Sequence, residues 1–196
     1  MLLALLALFS LGALASGCGG SSGAQRPSTL FGASVGQPTA APDFALRDAR
    51  GPLVRLSGER GKLVLVTFLY THCPDVCPLI AENLNRALRR LGPARAAVRV
   101  IAVSVDPRGD TKAAVLAYRR SHRLLPEFDY LIGTRRQLTP VWRAYHVLAV
   151  ARKPELVDHS AYTLLVDQDG RGRATYDATV NADDVVHDLR MLLREA

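Results

Sequence analysis

Residues 64–78 read Val-Leu-Val-Thr-Phe-Leu-Tyr-Thr-His-Cys-Pro-Asp-Val-Cys-Pro, so an apolar β-type run ends in Cys73 and Cys77. A segment with helical spacing of apolar residues follows from Leu79 to Leu91. Thiols between a buried strand and a helix start lie at the positive end of the helix dipole. That position favours the thiolate, whose pKa can fall from ~8.5 into the range ~3.5–7.5. The pair is therefore a candidate for soft-metal binding, for redox exchange or for both.

The prolines beside the cysteines predict a turn. Pro78 suits a first helical turn and disfavours the α conformation at Cys77, so we expect the helix to start at Pro78. Cys73 to Cys77 should then form a turn in which the two sulfurs can converge, also as a disulfide. A disulfide that closes so small a loop removes little chain entropy. A purely structural cross-link is therefore the weaker interpretation, and metal binding and redox chemistry both stay open.

A third metal ligand is expected from elsewhere in the chain, because two thiolates leave a soft metal under-coordinated. Among the five histidines, His159 is the candidate. It precedes the predicted core strand Tyr162–Val166. In a thioredoxin-like sheet, the loop before this strand lies beside the cysteine turn, where thioredoxins carry a substrate-facing proline. Asp158 is its expected polar neighbour. The other histidines are interpreted as ordinary surface or core residues: His72, His122, His146 and His187.

The N-terminal residues are expected to lie outside the folded domain. Residues 1–17 are uncharged and rich in Leu and Ala, and their apolar run is shorter than the about 20 residues that span a bilayer. They predict a lipoprotein-type signal peptide, with Cys18 as the lipidated first residue of the mature protein. Residues 18–42 are rich in Gly, Ser, Ala and Pro and predict a flexible tether. Ordinary cleavage to a soluble secreted protein and an uncleaved anchor are the alternatives.

The net charge of +7 lies entirely after the uncharged leader. An exported basic protein has little access to nucleic acid, so anionic lipid headgroups or an acidic partner surface are the expected counterparts. Arginines used freely on solvated faces are an equal alternative. The expected location is the cell envelope, with the protein held by a lipid anchor and facing the periplasm or extracytoplasmic side. Nothing in the sequence demands a dimer, and a monomer is expected.

Residues 43–196 predict one α/β domain. A short hairpin over residues 44–46 and 53–55 precedes two buried strands, Leu63–Tyr70 and Val98–Val105. Further elements follow in order: a helix from Asp110-Thr111 through His122, a strand Asp129–Ile132, a helix Gln137–Tyr145, a hairpin of Tyr162–Val166 and Gly172–Tyr176, and a helix Ala182–Arg194. This order predicts a thioredoxin-like sandwich, a central mixed sheet flanked by helices, with an extra N-terminal β-hairpin.

Three motifs in this order resemble the Sco/SenC copper chaperones, and the resemblance runs from about Ala41 to the C-terminus. The motifs lie at residues 70–78, at residues 103–111, and at residues 158–161 with 166–170. The resemblance implies a thioredoxin-like fold that binds one copper ion, with Cys73, Cys77 and His159 as its ligands. It also implies a membrane-tethered protein that assists assembly of the binuclear copper centre of cytochrome c oxidase, by delivering copper, by reducing its cysteines, or both.

The sequence departs from the family pattern at the anchor and after the second cysteine. The expected anchor is a lipid, where many members have a transmembrane helix, and Leu79-Ile80 replaces more polar residues. Asp110 and Thr111 are interpreted as a strand end with a helix cap, in preference to metal contacts. Two thiolates and an imidazole suit trigonal Cu(I), whereas Cu(II) would need a further ligand such as water or a carboxylate.

Other functions stay open at this point. The main rival is a thiol-disulfide oxidoreductase that acts on exported proteins without carrying metal. A peroxiredoxin-like peroxidase is a weaker one, because the pattern Pro-x-x-x-Thr-x-x-Cys is missing around Cys73. A redox or copper sensor that signals through a partner is the third.

Overall fold

The computed structural model describes residues 29–153, 156–159 and 161–195, with the backbone alone for residues 150–153 and 156–159. The predicted signal peptide and Cys18 lie outside these residues. The described strands are β1 Ala33–Ser34, β2 Ala45–Asp48, β3 Leu53–Arg55, β4 Leu63–Leu69, β5 Val98–Ser104, β6 Phe128–Ile132, β7 Ala149–Lys153, β8 Leu156–His159, β9 Thr163–Val166 and β10 Gly172–Tyr176. The described α-helices are α1 Val76–Leu91, α2 Lys112–Ser121, α3 Arg135–Ala144 and α4 Ala182–Leu192. Within these ranges no helix is long and apolar enough to cross a bilayer.

Eight of the strands form one mixed sheet in the order β1-β10-β9-β4-β5-β6-β2-β3. β4, β5 and β6 run parallel, and β9 pairs antiparallel with β4 on the other side. Every residue of β4 is buried, and so is every residue of β5 except Arg99, as expected of strands covered on both faces. The predicted α/β sandwich with a central mixed sheet is therefore confirmed. The predicted N-terminal hairpin is also confirmed, as β2 and β3, with β2 joining the sheet beside β6.

The start of α1 differs from the prediction. The helix begins at Val76, with Asp75 as its N-cap residue, so Cys77 lies inside the first turn instead of before it. The prediction of a helix start at Pro78 was wrong. Pro78 is the third residue of the helix, and the first amides of a helix have no acceptor within the helix. A proline in the first turn therefore removes no hydrogen bond. The consequence is that Cys77 is held by a regular helix and Cys73 by the loop before it.

The described part of the predicted tether, residues 29–42, packs on the domain. β1 pairs antiparallel with β10, and Ala40 bridges Arg171. The N–H groups of Phe31 and Gly32 donate to the carboxylate of Asp188 at 2.8 and 2.9 Å. Asp188 is fully buried, and a buried carboxylate needs such donors. The folded part therefore begins before residue 43, which the small side chains of this segment did not indicate.

The segment before β9 is a hairpin instead of the predicted loop. β7 and β8 form a separate two-stranded sheet in which Ala149 pairs with His159. Neither strand was predicted, because Val150 and Val157 are the only β-branched residues in them and the alternation of polar and apolar residues is short. His159 is therefore the last residue of a strand, close in sequence to the central sheet.

Candidate metal centre

The cysteine pair lies at the junction of β4 and α1. Cys73 is 8% exposed and Cys77 is fully buried, and the two cysteines are not joined by a disulfide. The N–H of Cys73 donates to the carbonyl of Tyr70 at 3.3 Å, which closes the loop after β4. The N–H of Cys77, in the first turn of α1, donates to Sγ of Cys73 at 3.4 Å. The sulfur of Cys73 therefore receives an amide from the positive end of the helix, as the sequence predicts for this motif.

The two thiols differ in acidity. A hydrogen bond from the Cys77 side chain is the main cause that lowers the pKa of Cys73 to about 5, against an opposing effect of burial. The backbone amides of Asp75 and Cys77 and the side chain of Tyr70 lower the pKa of Cys73 further. The same hydrogen bond, reinforced by burial, raises the pKa of Cys77 well above its ordinary value. Near neutral pH the pair is thus a thiolate at Cys73 with a thiol at Cys77.

Asp110 connects the cysteine loop to the central strands. Its carboxylate accepts hydrogen bonds from the N–H and the hydroxyl of Thr71, both at 2.8 Å, and from the hydroxyl of Ser104 at 2.6 Å. The hydroxyl of Tyr130 donates to the same carboxylate at 3.2 Å. Burial raises the pKa of Asp110, and the bonds from Ser104 and Thr71 oppose that rise. Asp110 is therefore a buried cross-link between the loop, the end of β5 and the middle of β6.

Thr111 is the helix cap that the sequence predicts. Its Oγ1 accepts the N–H of Ala114 at 3.1 Å, at the start of α2. The interpretation of Asp110-Thr111 as a strand end with a helix cap is confirmed at Thr111. Asp110 has the larger role just described, and no local sequence pattern indicates that its partners include Thr71.

A carboxylate and an imidazole lie beside the loop after β5. A Cβ atom on Gly109 would clash with Oδ2 of Asp106 and lie 3.0 Å from Nδ1 of His72, so a larger residue would have to displace these side chains. His72 is exposed, as the sequence interpretation expects, and its Nδ1 lies 3.2 Å from Oγ1 of Thr71. Asp106 is buried, and its Oδ1 accepts the N–H of Arg108 at 3.1 Å. This juxtaposition next to Cys73 was not predicted.

Tyr118, on α2, has a buried hydroxyl on which the charges of the two cysteines act. Its hydroxyl has no hydrogen-bond partner among the described residues, although the side chain is only 6% exposed. Burial is the main cause that raises the pKa of Tyr118, and the charges of Cys77 and Cys73 add to it. The ring packs against Tyr130 and against His122. Nothing in the sequence distinguished Tyr118 from other core residues.

The backbone near His159 lies close to the strand that carries the cysteine turn. Thr163 of β9 pairs with Thr67 of β4, and Oγ1 of Thr67 donates to the carbonyl of Tyr162 at 3.2 Å. The rings of Tyr162 and Phe68 lie 5.7 Å apart. The side chain of His159 lies outside the described part of the structure, so its role as a ligand stays a prediction. Among the described residues, no three His, Cys, Asp or Glu side chains are grouped closely enough to hold a metal ion.

The SCO1/SenC family model matches residues 33–194 of this chain. The chain belongs to this family. A bovine relative, "Protein SCO2 homolog, mitochondrial", is 34% identical over 173 residues, which cover 85% of this chain. The chain spans 63% of the length of that relative.

Solved Sco structures share the fold. "Structure of Bradyrhizobium japonicum ScoI with copper bound" is 31% identical, covers 79% of this chain and 99% of that one, and gives a TM-score of 0.70. The apo Sco1 protein from Thermus thermophilus is 36% identical, covers 84% of this chain and 97% of that one, and gives a TM-score of 0.72. The fold of this Sco-family chain is thus thioredoxin-like, as predicted.

Proposed function

We propose that this Sco-family chain is a copper chaperone that delivers copper to the binuclear copper site of cytochrome c oxidase, or reduces the cysteines of that site. One observation carries the proposal: two reduced, hydrogen-bonded thiols, Cys73 and Cys77, lie at a helix N-terminus in a chain similar to a copper-bound ScoI. Thiolates are soft ligands, and Cu(I) is among the metals that soft ligands favour.

The proposed ligands are the sulfurs of Cys73 and Cys77 and the imidazole of His159. Cys73 is already ionised near neutral pH, whereas Cys77 must lose a proton when copper binds. Copper therefore competes with one proton, and its affinity should rise as the pH rises. The extra ligand that Cu(II) would need can be a water molecule or a nearby carboxylate.

The alternative is a thiol-disulfide oxidoreductase, and the unequal acidity of the two thiols favours it. The Cys73 thiolate would attack one sulfur of a substrate disulfide, form a mixed disulfide and release the other substrate sulfur as a thiolate. Cys77, after losing its proton to solvent, would attack Sγ of Cys73 and release the second substrate thiolate. Two protein thiols are then oxidised to a disulfide, and one substrate disulfide is reduced to two thiols. Oxidation of the pair would also remove both thiolate ligands of copper and leave only the imidazole.

Two measurements separate these functions. The chaperone should bind copper when reduced, lose it when oxidised, and transfer it to a copper-free oxidase subunit. The oxidoreductase should reduce a disulfide substrate quickly in the presence of a copper chelator. Fast turnover without metal, together with no transfer of copper, would reject the chaperone function and support the oxidoreductase.

We further propose that lipidation of Cys18 anchors the protein to the membrane of the cell envelope, where it acts as a monomer on an oxidase subunit or another exported copper or thiol protein. The support is the uncharged leader and the small residues Ala15, Ser16 and Gly17 directly before Cys18, which resemble a bacterial lipobox. A Cys18→Ser variant should leave the membrane fraction. An unchanged distribution between membrane and soluble fractions would reject the lipid anchor without affecting the copper proposal.

A further inference from the structure

A basic groove lies between α1 and the segment after α2, with a volume of about 630 Å³. We call it the arginine groove. It does not include either cysteine or the loop that carries them. Its lining residues are Glu82, Arg86, Arg89, Ser121, His122, Arg123 and Leu125.

One wall of the arginine groove is fixed by a buried amide. Asn85 of α1 is fully buried, and its Nδ2 donates to the carbonyls of His122 at 3.4 Å and of Arg123 at 3.0 Å. Its Oδ1 accepts the N–H of Leu125 at 2.9 Å. These three hydrogen bonds of the Asn85 side chain thus all go to residues 122–125. The segment after α2 is therefore held rigidly against the helix that carries Arg86 and Arg89.

Arg123 has a backbone conformation that arginine rarely adopts. Its φ is +49°, in the left-handed region that favours glycine and asparagine. The N–H of Arg123 donates to the carbonyl of Arg120 at 3.1 Å, so this turn is hydrogen-bonded. A non-glycine residue in this conformation is strained. An arginine that lines the groove at this position therefore comes at the expense of local stability.

The cations of the groove are not neutralised. Among the described residues, Arg86, Arg89 and Arg123 have no ion pair. The single acid of the groove, Glu82, is engaged with Nδ1 of His122 at 3.0 Å. Other exposed arginines do find partners, as Arg90 does with Asp183 at 2.5 Å. The groove therefore concentrates three free guanidinium groups in one concave site.

We propose that the arginine groove binds a phosphate group, either free or as part of a lipid headgroup. A guanidinium donates two parallel hydrogen bonds to phosphate oxygens, so three arginines that line one groove suit a compact anion with several charges. An acidic peptide would instead need cations spread along an extended path. Three of the arginines that make the chain basic would then serve as phosphate ligands. Phosphate binding in the groove would be independent of copper binding.

Calorimetric titration of the full chain with inorganic phosphate and with glycerophosphoglycerol, at constant ionic strength, tests the proposal. The triple variant Arg86→Gln/Arg89→Gln/Arg123→Gln should bind at least about tenfold more weakly. The matched control Arg135→Gln/Arg136→Gln/Arg143→Gln removes the same charge from exposed positions of α3 and should bind like wild type. Tighter binding of glycerophosphoglycerol identifies a lipid headgroup, and equal binding identifies free phosphate.

The single variant Arg123→Gly protects the test against a folding defect. Glycine accepts the left-handed backbone without strain, so this variant should be at least as stable as wild type while binding phosphate more weakly. Equal losses in the groove and control triple variants would overturn the proposal, since they would show a nonspecific charge effect. Binding of a poly-glutamate peptide without binding of phosphate would overturn it in favour of an acidic protein partner.

Discussion

At the scale of single residues, the hydrogen bond between the two thiols determines the chemistry of the site. It favours the thiolate at Cys73 and the protonated thiol at Cys77. The low pKa gives a nucleophile and metal ligand near neutral pH, and the high pKa of the partner keeps one proton in place until a metal or a disulfide exchange removes it. Both proposed functions depend on this unequal pair.

The substitution Cys77→Ala should raise the pKa of Cys73 from about 5 toward its ordinary value. The reason is that the main cause of the lowered pKa, the hydrogen bond from Cys77, is removed. The pH dependence of alkylation by iodoacetamide measures this pKa, because only the thiolate reacts. An inflection that stays near pH 5 in the variant would show that the helix amides, and not the thiol, stabilise the thiolate.

The substitution Tyr118→Phe should stabilise the reduced, metal-free protein by about 1 kcal/mol, because a buried polar group without a partner is costly. Urea unfolding measures the change. Tyr130→Phe is the matched control: its hydroxyl donates to Asp110, so its loss should destabilise the protein. Lower stability of Tyr118→Phe would mean that its hydroxyl has a partner, such as a bound water molecule.

At the scale of elements, sequence patterns predicted those strands and helices that are long and strongly apolar. β4 and β5 were predicted almost to the residue because their burial on both faces requires continuous apolar runs. β1 contains two small residues, Ala33 and Ser34, and depends on Asp188 far along the chain, which no local pattern can indicate. The same limit applies to the site. Cys73 and Cys77 form a recognisable motif, whereas Asp110 reaches Thr71 only through the fold.

The packing of β1 and the residues before it predicts the effect of a larger side chain at Gly32. A Cβ atom there would lie 2.9 Å from Cβ of Ala174 and 2.9 Å from the ring of Tyr176. Gly32→Val should destabilise the protein by about 1–3 kcal/mol and expose the N-terminal residues to proteases. Gly58→Ala is the control, since its nearest neighbour is Cβ of Arg55 at 3.9 Å. Equal stability of both variants would show that residues 31–34 are not firmly attached.

At the scale of the whole molecule, the acidity of the cysteine pair makes stability depend on pH. The folded pKa of Cys73 is lowered, so its contribution is complete above its unfolded pKa and is lost as the pH falls toward about 5. The folded pKa of Cys77 is raised, so its contribution is lost as the pH rises above its unfolded value. The stability that reduced wild type gains over Cys73→Ser should therefore grow between about pH 6 and about pH 8. Urea unfolding at the two pH values measures it, and a constant difference would contradict the lowered pKa.

The sheet also accounts for how distant residues can meet. β4 leads into Cys73, and its neighbour β9 follows closely after His159, so the pairing of β4 with β9 brings the two chain segments to one end of the sheet. A metal need not assemble the fold, and the reduced protein should be folded before copper binds. The sequence motifs suggested this arrangement, but the β7-β8 hairpin that contains His159 was found only in the structure.

Copper titration of reduced wild type and of His159→Ala, read by absorption and electron paramagnetic resonance, shows whether Cys73, Cys77 and His159 share one metal ion. Wild type should bind one copper ion. The variant should keep the wild-type fold by circular dichroism but bind Cu(II) more weakly, with an altered spectrum, because an imidazole ligand is lost. Unchanged copper affinity and an unchanged spectrum in His159→Ala would contradict the claim that Cys73, Cys77 and His159 hold the metal together.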